Sequence, residues 1–275
     1  MATGQAAQAR RLLALHARDT PLLLPNPWDA GSAKLLKAAG FEALATTSSG
    51  FAATLGRLDG SVTRAEALTH AAAIVAATGL PVSADLENGF ADAPADVAQT
   101  VRDAIAAGLA GCSIEDFTGD DTGPIYCLEH AVARIAAATQ AAHAGAVHLV
   151  LTARAENHIR GVQDLEDTVT RLRAYGDAGA DVLFAPGLTR IEDIRRVVKE
   201  VAPLPLNVLA LPGAPSVAEL AAGGVKRISV GGAFAFAAID AVAEAARELR
   251  EDGTYGFLAR ARAGAALARR AFDDE

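Results

Sequence analysis

A short pattern that ends a helix and begins a strand recurs four times along the chain, and it constrains the fold more than any other feature. In each copy an alanine-rich stretch ends in glycine, and an apolar run follows within a few residues. Glycine commonly terminates helices because it adopts left-handed backbone conformations without steric cost. The four apolar runs lie at 43–46, 111–114, 182–184 and 228–230. Helix followed by strand, repeated in this way, indicates βαβ units and a parallel sheet.

Four further apolar runs lie between these copies, at 22–24, 82–84, 148–151 and 206–209. Eight strands alternating with helical stretches predict an α/β protein with a TIM-type (β/α)8 barrel. We expect a single barrel domain over residues 1–275, because barrels of this length are common and no Ser/Gly-rich linker interrupts the alternation. Residues 239–275 are expected to form a C-terminal helical segment. Periodicity leaves open whether that segment packs on its own barrel or on a neighbouring subunit.

The charge balance and the apolar run lengths exclude several classes of partner. Asp and Glu total 33 against 25 Lys and Arg, so we expect no nucleic-acid surface and no anionic-membrane surface. No run approaches the roughly 18 apolar residues of a membrane span, and the N-terminal stretch lacks a secretory core. Cys112 and Cys127 provide neither a zinc spacing nor a disulfide framework. We therefore expect a cytoplasmic protein whose partners are small molecules.

Charged residues directly follow three of the predicted strands. They are Asp85 and Glu87 after the third strand, Glu115 and Asp116 after the fourth, and Arg154 and Glu156 after the fifth. Because active sites of barrels lie at the carboxyl ends of the strands, we expect these side chains at one rim. Carboxylate ligands without histidine or thiolate favour Mg²⁺, or Mn²⁺, over zinc. The sequence therefore predicts a magnesium site at this rim.

Each of these residues also has a plainer interpretation. Asp85 and Glu87 are compatible with a solvated loop pair, as most charged residues are. Glu115 and Asp116 fit a cap of the following helix, and Asp116 also fits a position that supports the site from behind. Arg154 fits a simple ion pair with Glu156. We favour the functional interpretation because three strand ends supply acids to the same edge.

Ordered motifs extend the pattern along most of the chain. They are Asn26-Pro27-Trp28-Asp29-Ala30, Ala39-Gly40-Phe41, Ser48-Ser49-Gly50, Leu55-Gly56, Asp59-Gly60, Asp85-Leu86-Glu87-Asn88-Gly89, Ile114-Glu115-Asp116 and Leu151-Thr152-Ala153-Arg154. In this order the chain resembles the isocitrate lyase and phosphoenolpyruvate mutase superfamily from about Leu24 to Ala237. The resemblance implies an (α/β)8 barrel, commonly a tetramer with terminal helices exchanged between subunits. It also implies Mg²⁺-dependent making or breaking of a bond next to a 2-oxo acid, through an enolate.

The resemblance further implies roles for individual residues. The implied metal ligands are Asp85, directly or through water, with Glu87 and Glu115, although the family often has Asp where this chain has Glu87. The implied substrate contacts are Ser48, Ser49 and Gly50 through backbone N–H groups, together with Arg154 and Asn207. The implied catalytic groups are Asp59, which would orient the reacting group or act as a base, Arg154 and Glu115. Taken alone, Asp59-Gly60 is only a turn signal. A small carboxylate substrate and a homo-oligomer, tetramer or dimer, are expected.

Two departures from the family pattern narrow the substrate. Superfamily lyases that cut isocitrate-like acids carry a Lys-Lys/Arg-Cys-Gly-His segment on a mobile loop after strand four. The stretch 117–127 here is shorter and lacks lysine, so Cys127 is not that cysteine, and the lysine and asparagine of phosphonopyruvate-processing members are absent too. Lyases of bulkier acids tend to present a glutamate after strand six, where this chain has Pro186-Gly187. These differences argue against isocitrate and 2-methylisocitrate.

The resulting expectation is a Mg²⁺-dependent lyase. It would cleave a carbon–carbon bond in a small 2-oxo or 2-hydroxy dicarboxylate through a pyruvate-type enolate. One alternative is a phosphoenolpyruvate or phosphonopyruvate mutase or hydrolase. A second alternative, from another functional class, is a barrel that binds a metabolite without turning it over, because one fold hosts many functions.

Overall fold

The computed structural model describes residues 2–273, with the side chains of residues 2 and 3 left aside. In chain order the elements are α1 (Ala2–Leu15), β1 (Leu22–Leu24), α2 (Ala30–Ala38), β2 (Leu44–Ala45), α3 (Ser48–Thr54), α4 (Arg64–Thr78), β3 (Val82–Asp85), α5 (Pro94–Ala106), β4 (Gly111–Glu115), α6 (Leu128–His143), β5 (Val150–Arg154), α7 (Leu165–Asp177), β6 (Val182–Phe184), α8 (Ile191–Val201), β7 (Leu206–Leu209), α9 (Val217–Ala222), β8 (Arg227–Ser229), α10 (Ala233–Arg247) and α11 (Leu258–Phe272). A π-helical turn, Glu248–Asp252, continues α10.

The eight strands form one parallel sheet in the order β1-β8-β7-β6-β5-β4-β3-β2. The two edges meet where the Ala45 N–H donates to the Pro25 carbonyl at 3.0 Å, which nearly closes the barrel. The predicted TIM-type (β/α)8 fold is therefore confirmed. The largest boundary error is in β5, which was expected at 148–151 but ends at Arg154, because it stays paired with β4 as far as the Glu115–Arg154 register. Glu115 and Arg154 thus end strands, and rigid backbone rather than loop positions them.

The two faces of the sheet differ in polarity. Side chains alternate across a strand, and one set packs with the surrounding helices in an apolar core that includes Ala84, Ile114, Leu151, Val208 and Ile228. The alternate set faces the barrel interior. Its middle layer, two positions before the last residue of a strand, is polar in five strands and consists there of Ser83, Ser113, Thr152, Asn207 and Arg227; the same position is Leu22 in β1 and Val182 in β6. Barrel interiors are usually filled by branched apolar residues, so this polar layer needs a physical explanation.

Helix α1 closes the amino-terminal end of the barrel. Leu12 and Leu15 are fully buried there and pack in the same cluster as Leu24 and Val150. A Cβ atom at Gly111 would lie 2.9 Å from Leu12 Cδ2, so glycine lets the helix approach the sheet closely. The carboxyl end of the strands is left as the open end of the barrel.

The C-terminal helices lie outside the barrel. Helix α11 packs against α2 of the same chain, and α10 packs against α3 while leaving Phe236, Ile239 and Val242 exposed. Helix α10 begins six residues earlier than the predicted segment 239–275, whose last two residues lie outside the described part of the chain. Exchange of these helices between subunits stays a prediction. None of the described helices combines the length and hydrophobicity that a bilayer crossing requires.

Candidate active site

A cavity of about 250 Å³ opens at the carboxyl ends of the strands, and a second one of about 100 Å³ adjoins it. This is the end at which barrels carry their active sites. The predicted site residues that line one or both cavities are Ser48, Ser49, Asp59, Asp85, Glu87, Glu115 and Arg154. Gly50 and Asn207 line neither cavity. The strand ends therefore gather most of the predicted residues around one space.

Arg154 stands at the centre of this group and contacts three carboxylates. Its Nη1 atom lies 2.9 Å from Asp85 Oδ1 and 3.0 Å from Glu115 Oε2, and its Nη2 lies 2.7 Å from Glu156 Oε1. Burial acts to lower the pKa of Arg154, but the charges of Glu115, Glu156 and Asp85 outweigh it and raise that pKa. The plain interpretation, an ion pair with Glu156, is thus part of a larger network. Arg154 orients Asp85 and Glu115, which end β3 and β4, and Glu156, which follows β5, and its charge is already neutralised.

The rim holds more acids than cations. The carboxyl groups on the two cavities are those of Asp59, Asp85, Glu87, Glu115 and Glu156, and the guanidinium groups at the same level are those of Arg154 and Arg160. Glu115 is buried, and burial raises the pKa of its carboxyl well above the ordinary value although Arg154 opposes the change. Of these acids, only Glu115 and Glu156 are buried, whereas Asp85 and Glu87 are partly buried and Asp59 is exposed. An excess of carboxylates of which some are buried is unfavourable unless a cation offsets it.

Glu87 is held by an unusual backbone conformation. Its φ is +48° and that of Phe90 is +56°, in the left-handed region that non-glycine residues rarely adopt. The Arg134 guanidinium fixes this loop by donating to the carbonyls of Asn88 and Ala91, and it also donates to Glu115 O at 3.2 Å. Burial, followed by repulsion from neighbouring acids, raises the pKa of Glu87 to about 7. The loop therefore presents a carboxyl group that is easily neutralised by a proton or a cation.

Several polar groups at the start of α3 form hydrogen bonds within the protein. Thr47 caps the helix, and the Gly50 N–H donates to Thr47 Oγ1 at 3.3 Å. The Ser48 N–H donates to Asp85 Oδ2 at 3.2 Å, and Ser49 Oγ lies 3.2 Å from Thr47 Oγ1. Two of the N–H groups expected to bind substrate are therefore bonded within the chain. Ser48 and Ser49 still line the larger cavity.

Asn207 lies behind the cavity wall. It is fully buried; its amide donates to Ser229 Oγ at 3.0 Å, and its carbonyl oxygen accepts from Arg227 Nε at 3.0 Å. The structure thus makes Asn207 a neighbour of Arg227 rather than a lining residue.

Asp116 supports the site from behind rather than capping a helix. Its carboxylate accepts from the Tyr175 hydroxyl at 2.5 Å, from Arg171 at 3.2 Å and from the Glu156 N–H at 2.8 Å. The residue that precedes α6, where the helix cap would stand, is Cys127. Asp116 therefore fixes the backbone of Glu156, which in turn contacts Arg154.

The stretch 117–127, which differs from the family's mobile loop after strand four, forms a compact loop. Phe117 pairs with Ile125 in an antiparallel bridge, and the Thr118 N–H donates to Pro124 O at 2.8 Å. The Arg160 guanidinium lies 3.5 Å from the centre of the Phe117 ring. Cys127 is exposed and lines neither cavity. Phe117 and Arg160 therefore occupy the edge of the smaller cavity next to this loop.

Two lining arginines were absent from the sequence-based prediction. Arg160 follows Glu156 by four residues, and its Nε lies 3.4 Å from Glu156 Oε2. Arg227 begins β8 and is 3% exposed. Each is weakly indicated by the sequence. Arg160 lies four residues after an acid, and Arg227 is a charged residue at the start of an apolar strand.

The donor set at the rim fits a divalent cation of the Mg²⁺ type. Mg²⁺ takes oxygen ligands, keeps several waters and uses one or two carboxylates, and the rim offers carboxylates in excess around accessible space. Within residues 2–273, the only three His, Cys, Asp or Glu ligand atoms within 4.8 Å of one another belong to His143, His148 and Asp181. That cluster lies at the amino-terminal ends of β5 and β6, away from both cavities. The rim carboxylates are therefore not a preformed three-ligand cage.

Comparison with known proteins agrees with the fold and the motifs. A family model described as phosphoenolpyruvate phosphomutase matches residues 12–250. The 2-methylisocitrate lyase of Salmonella typhimurium is 33% identical over 198 residues, which cover 69% of this chain and 65% of that protein. A crystal structure of a candidate lyase/mutase from Burkholderia cenocepacia has 53% identity and a TM-score of 0.94, covering 97% of this chain and 96% of that one. A crystal structure of 2,3-dimethylmalate lyase has 33% identity and a TM-score of 0.82, covering 90% of this chain and 89% of that one. As its ordered motifs predicted, the chain belongs to the isocitrate lyase and phosphoenolpyruvate mutase superfamily.

Proposed function

We propose that this protein is a Mg²⁺-dependent lyase that cleaves a carbon–carbon bond in a small 2-oxo or 2-hydroxy dicarboxylate through a pyruvate-type enolate. The observation that carries the proposal is the excess of buried and partly buried carboxylates around Arg154 at the open end of the barrel. Two relatives whose names state a reaction, 2-methylisocitrate lyase and 2,3-dimethylmalate lyase, are lyases of substituted hydroxy acids. Both observations support the same reaction class.

Asp85 and Glu87 are the proposed metal-holding residues, with Glu115 beside them; Mn²⁺ would serve as well as Mg²⁺. Asp85 and Glu87 flank Leu86 at the end of β3, and Glu115 ends the neighbouring strand β4. When bound, Mg²⁺ supplies a Lewis acid for the negative charge that develops on an enolate oxygen. The raised pKa of Glu87 fits this assignment because a bound divalent cation would offset the repulsion from neighbouring acids that contributes to the shift.

Other residues of the chain would position the acids, accept a proton and bind the substrate. Arg154 holds Asp85, Glu115 and Glu156 in fixed positions, and such preorganisation is a main source of catalysis. Asp59 lines both cavities and is the proposed base for the substrate hydroxyl. The hydroxyl groups of Ser48 and Ser49 would contact the substrate carboxylate.

Phosphonopyruvate chemistry is the second candidate, because the matching family model is that of phosphoenolpyruvate phosphomutase. The absence of lysine from the loop at 117–127 and from the lining of both cavities speaks against it. A phosphonate dianion would then lack the flexible point charge that commonly binds phosphoryl groups.

The test is a turnover assay with Mg²⁺ and substituted malates, oxaloacetate or phosphonopyruvate, in which pyruvate, oxalate and phosphate are all measured. We expect a 2-oxo acid from a substituted malate. Activity should fall more than about 1000-fold in Asp85→Asn and stay unchanged in Asp19→Asn, which alters an exposed acid at the other end of the barrel. Tight oxalate binding without turnover of any compound would instead identify a metabolite-binding barrel.

A further inference from the structure

The middle layer of the barrel interior contains a cation without a carboxylate partner. The Arg227 side chain lines the larger cavity while the residue is 3% exposed. Its Nε donates to Asn207 Oδ1 at 3.0 Å and its Nη1 donates to Thr152 Oγ1 at 2.9 Å. Both acceptors are neutral, and none of the described residues accepts a hydrogen bond from its Nη2. A buried charge in this state is costly unless an anion joins it.

The charge on Arg227 persists at neutral pH. Burial, together with the nearby charge of Arg154, lowers the pKa of Arg227 to about 9. The guanidinium therefore stays protonated at neutral pH, and its burial disfavours that charged form. Replacing it with an apolar residue would be the simpler way to fill a core, as most barrels do.

Two hydroxyl groups border the same cavity as Arg227 and have no hydrogen-bond partner among the described residues. Ser83 and Ser113 are 2% and 6% exposed, line the larger cavity with Arg227, and make no side-chain hydrogen bond to any residue within 2–273. Both hydroxyl oxygens are accessible from the cavity, so they are free to bond to a ligand there. Arg227, Ser83 and Ser113 come from β8, β3 and β4, so donors from well-separated strands of the barrel border one cavity. Such an arrangement suits a planar anion, because a guanidinium edge and hydroxyl groups bind carboxylates with charge-assisted hydrogen bonds.

We propose that Arg227, with Ser83 and Ser113, forms a subsite in the barrel interior that binds the second carboxylate of the substrate. This inference rests on the proposed function for its choice of ligand, and it assigns dicarboxylate preference to a residue distinct from the rim network. Arg154 is already neutralised by three acids, so Arg227 is the lining arginine with charge to offer.

The test compares pairs of acids that differ by one terminal carboxylate, lactate with malate and 2-oxobutyrate with 2-oxoglutarate. Calorimetric titration in the presence of Mg²⁺ gives the ratio of the two Kd values in each pair. We expect the wild type to prefer the dicarboxylate by at least about 10-fold in one pair or both. Arg227→Gln should reduce that ratio to about 1 and leave the monocarboxylate Kd within about 2-fold, because only the terminal group loses a partner.

Matched variants separate a binding role from a structural one. Arg160→Gln removes a guanidinium from the rim of the same cavity and should preserve the ratio. Ser113→Ala breaks no hydrogen bond within the described chain, so its stability should match the wild type while its ratio falls about 3-fold or more. Ser113→Ala therefore distinguishes a binding role of the subsite from a structural one even if Arg227→Gln fails to fold.

The proposal is overturned if the wild type shows no preference in either pair, or if Arg227→Gln weakens both members of a pair equally. An unchanged ratio in Ser113→Ala counts against it as well. A preference that depends on Arg227 without any turnover would leave this subsite in place and refute the lyase. Turnover together with a dicarboxylate preference that does not depend on Arg227 would support the lyase and refute this subsite.

Discussion

Two arginines inside the same barrel stand in opposite electrostatic surroundings. Arg154 contacts three carboxylates within 3.0 Å, and the acids raise its pKa. Arg227 contacts only an amide and a hydroxyl, and burial lowers its pKa to about 9. The residue type is therefore a poor guide to the role. The neutralised arginine organises acids, whereas the arginine without a carboxylate has charge available for a ligand.

The comparison also divides the site by depth. Arg154, Asp85 and Glu115 end their strands and form the rim, which carries an excess of acids. Arg227 and Ser113 lie one layer deeper, where the lining is neutral or cationic. A dicarboxylate spanning both layers would place its reacting end among the acids and a metal ion, and its other end near Arg227.

The largest expected effect is that of Arg154→Met. Removing this cation leaves Asp85 without an ion pair and leaves Glu115 and Glu156 only their longer contacts with Arg160, so stability should fall by about 3–5 kcal/mol and activity should be lost. Urea unfolding at neutral pH measures the change, with Arg154→Lys as the control that keeps the charge. The deficit should shrink as the pH is lowered, because protonation neutralises the stranded acids. A loss below about 1 kcal/mol would show that the network contributes little.

Arg227→Met should cost less, below about 2 kcal/mol, because the loss from two stranded neutral acceptors, on Asn207 and Thr152, is partly offset by removal of a buried charge that has no carboxylate partner. The same urea experiment should show little pH dependence of this cost between about pH 5 and pH 8, since no partner titrates there. Equal losses of stability in Arg154→Met and Arg227→Met would contradict the proposed difference between the two arginines.

Glu87→Gln tests the crowding of acids at the rim. The pKa of Glu87 is about 7 in the folded protein against an ordinary 4.5, so between these values the folded state keeps a proton that the unfolded chain has lost. Stability of the wild type should therefore fall as the pH rises through this window. The stability of Glu87→Gln should not fall in this window. Above pH 7 the variant should therefore be more stable than the wild type by about 1–2 kcal/mol, after allowance for solvent screening.

Thermal unfolding at a series of pH values checks the Glu87 prediction. The advantage of Glu87→Gln should vanish below about pH 4, where the carboxyl is protonated in both states. Addition of Mg²⁺ should stabilise the wild type more than the variant. A variant that is less stable at every pH would contradict the raised pKa.

The smallest effect is expected for Arg160→Ala. Its contact with the Phe117 ring is worth about 0.5–1 kcal/mol at a partly exposed site. The loop at 117–127 should become easier to cleave in limited proteolysis, while global stability changes by less than about 1 kcal/mol. Phe117→Leu serves as the matched variant and should give the same cleavage pattern. Unchanged proteolysis in both would show that the loop is held by its own hydrogen bonds alone.

The sequence was informative where local chemistry decided the structure. Glycine stops and short apolar runs predicted the barrel, and β6 and β7 have the predicted bounds. Acids after strands indicated the rim correctly as a location, since Asp85, Glu87 and Glu115 all border the two cavities. The roles assigned to them stay predictions.

The sequence was uninformative where the structure depends on distant pairing. Nothing near Arg154 in the chain shows that Asp85, 69 residues away, is its partner. Asn207 was expected at the substrate, but the strand register places it beside Arg227 and behind the wall. Arg227 itself looked like an ordinary strand residue, because its isolation from carboxylates is visible only in three dimensions.

The most direct test of the central claim is a titration with Mn²⁺ in which electron paramagnetic resonance measures the free ion. We predict one ion per chain at the rim in the presence of oxalate, and loss of that binding in Asp85→Asn with the fold intact. Binding that persists in Asp85→Asn, for example at the cluster of His143, His148 and Asp181, or no binding at all in the wild type, would contradict it.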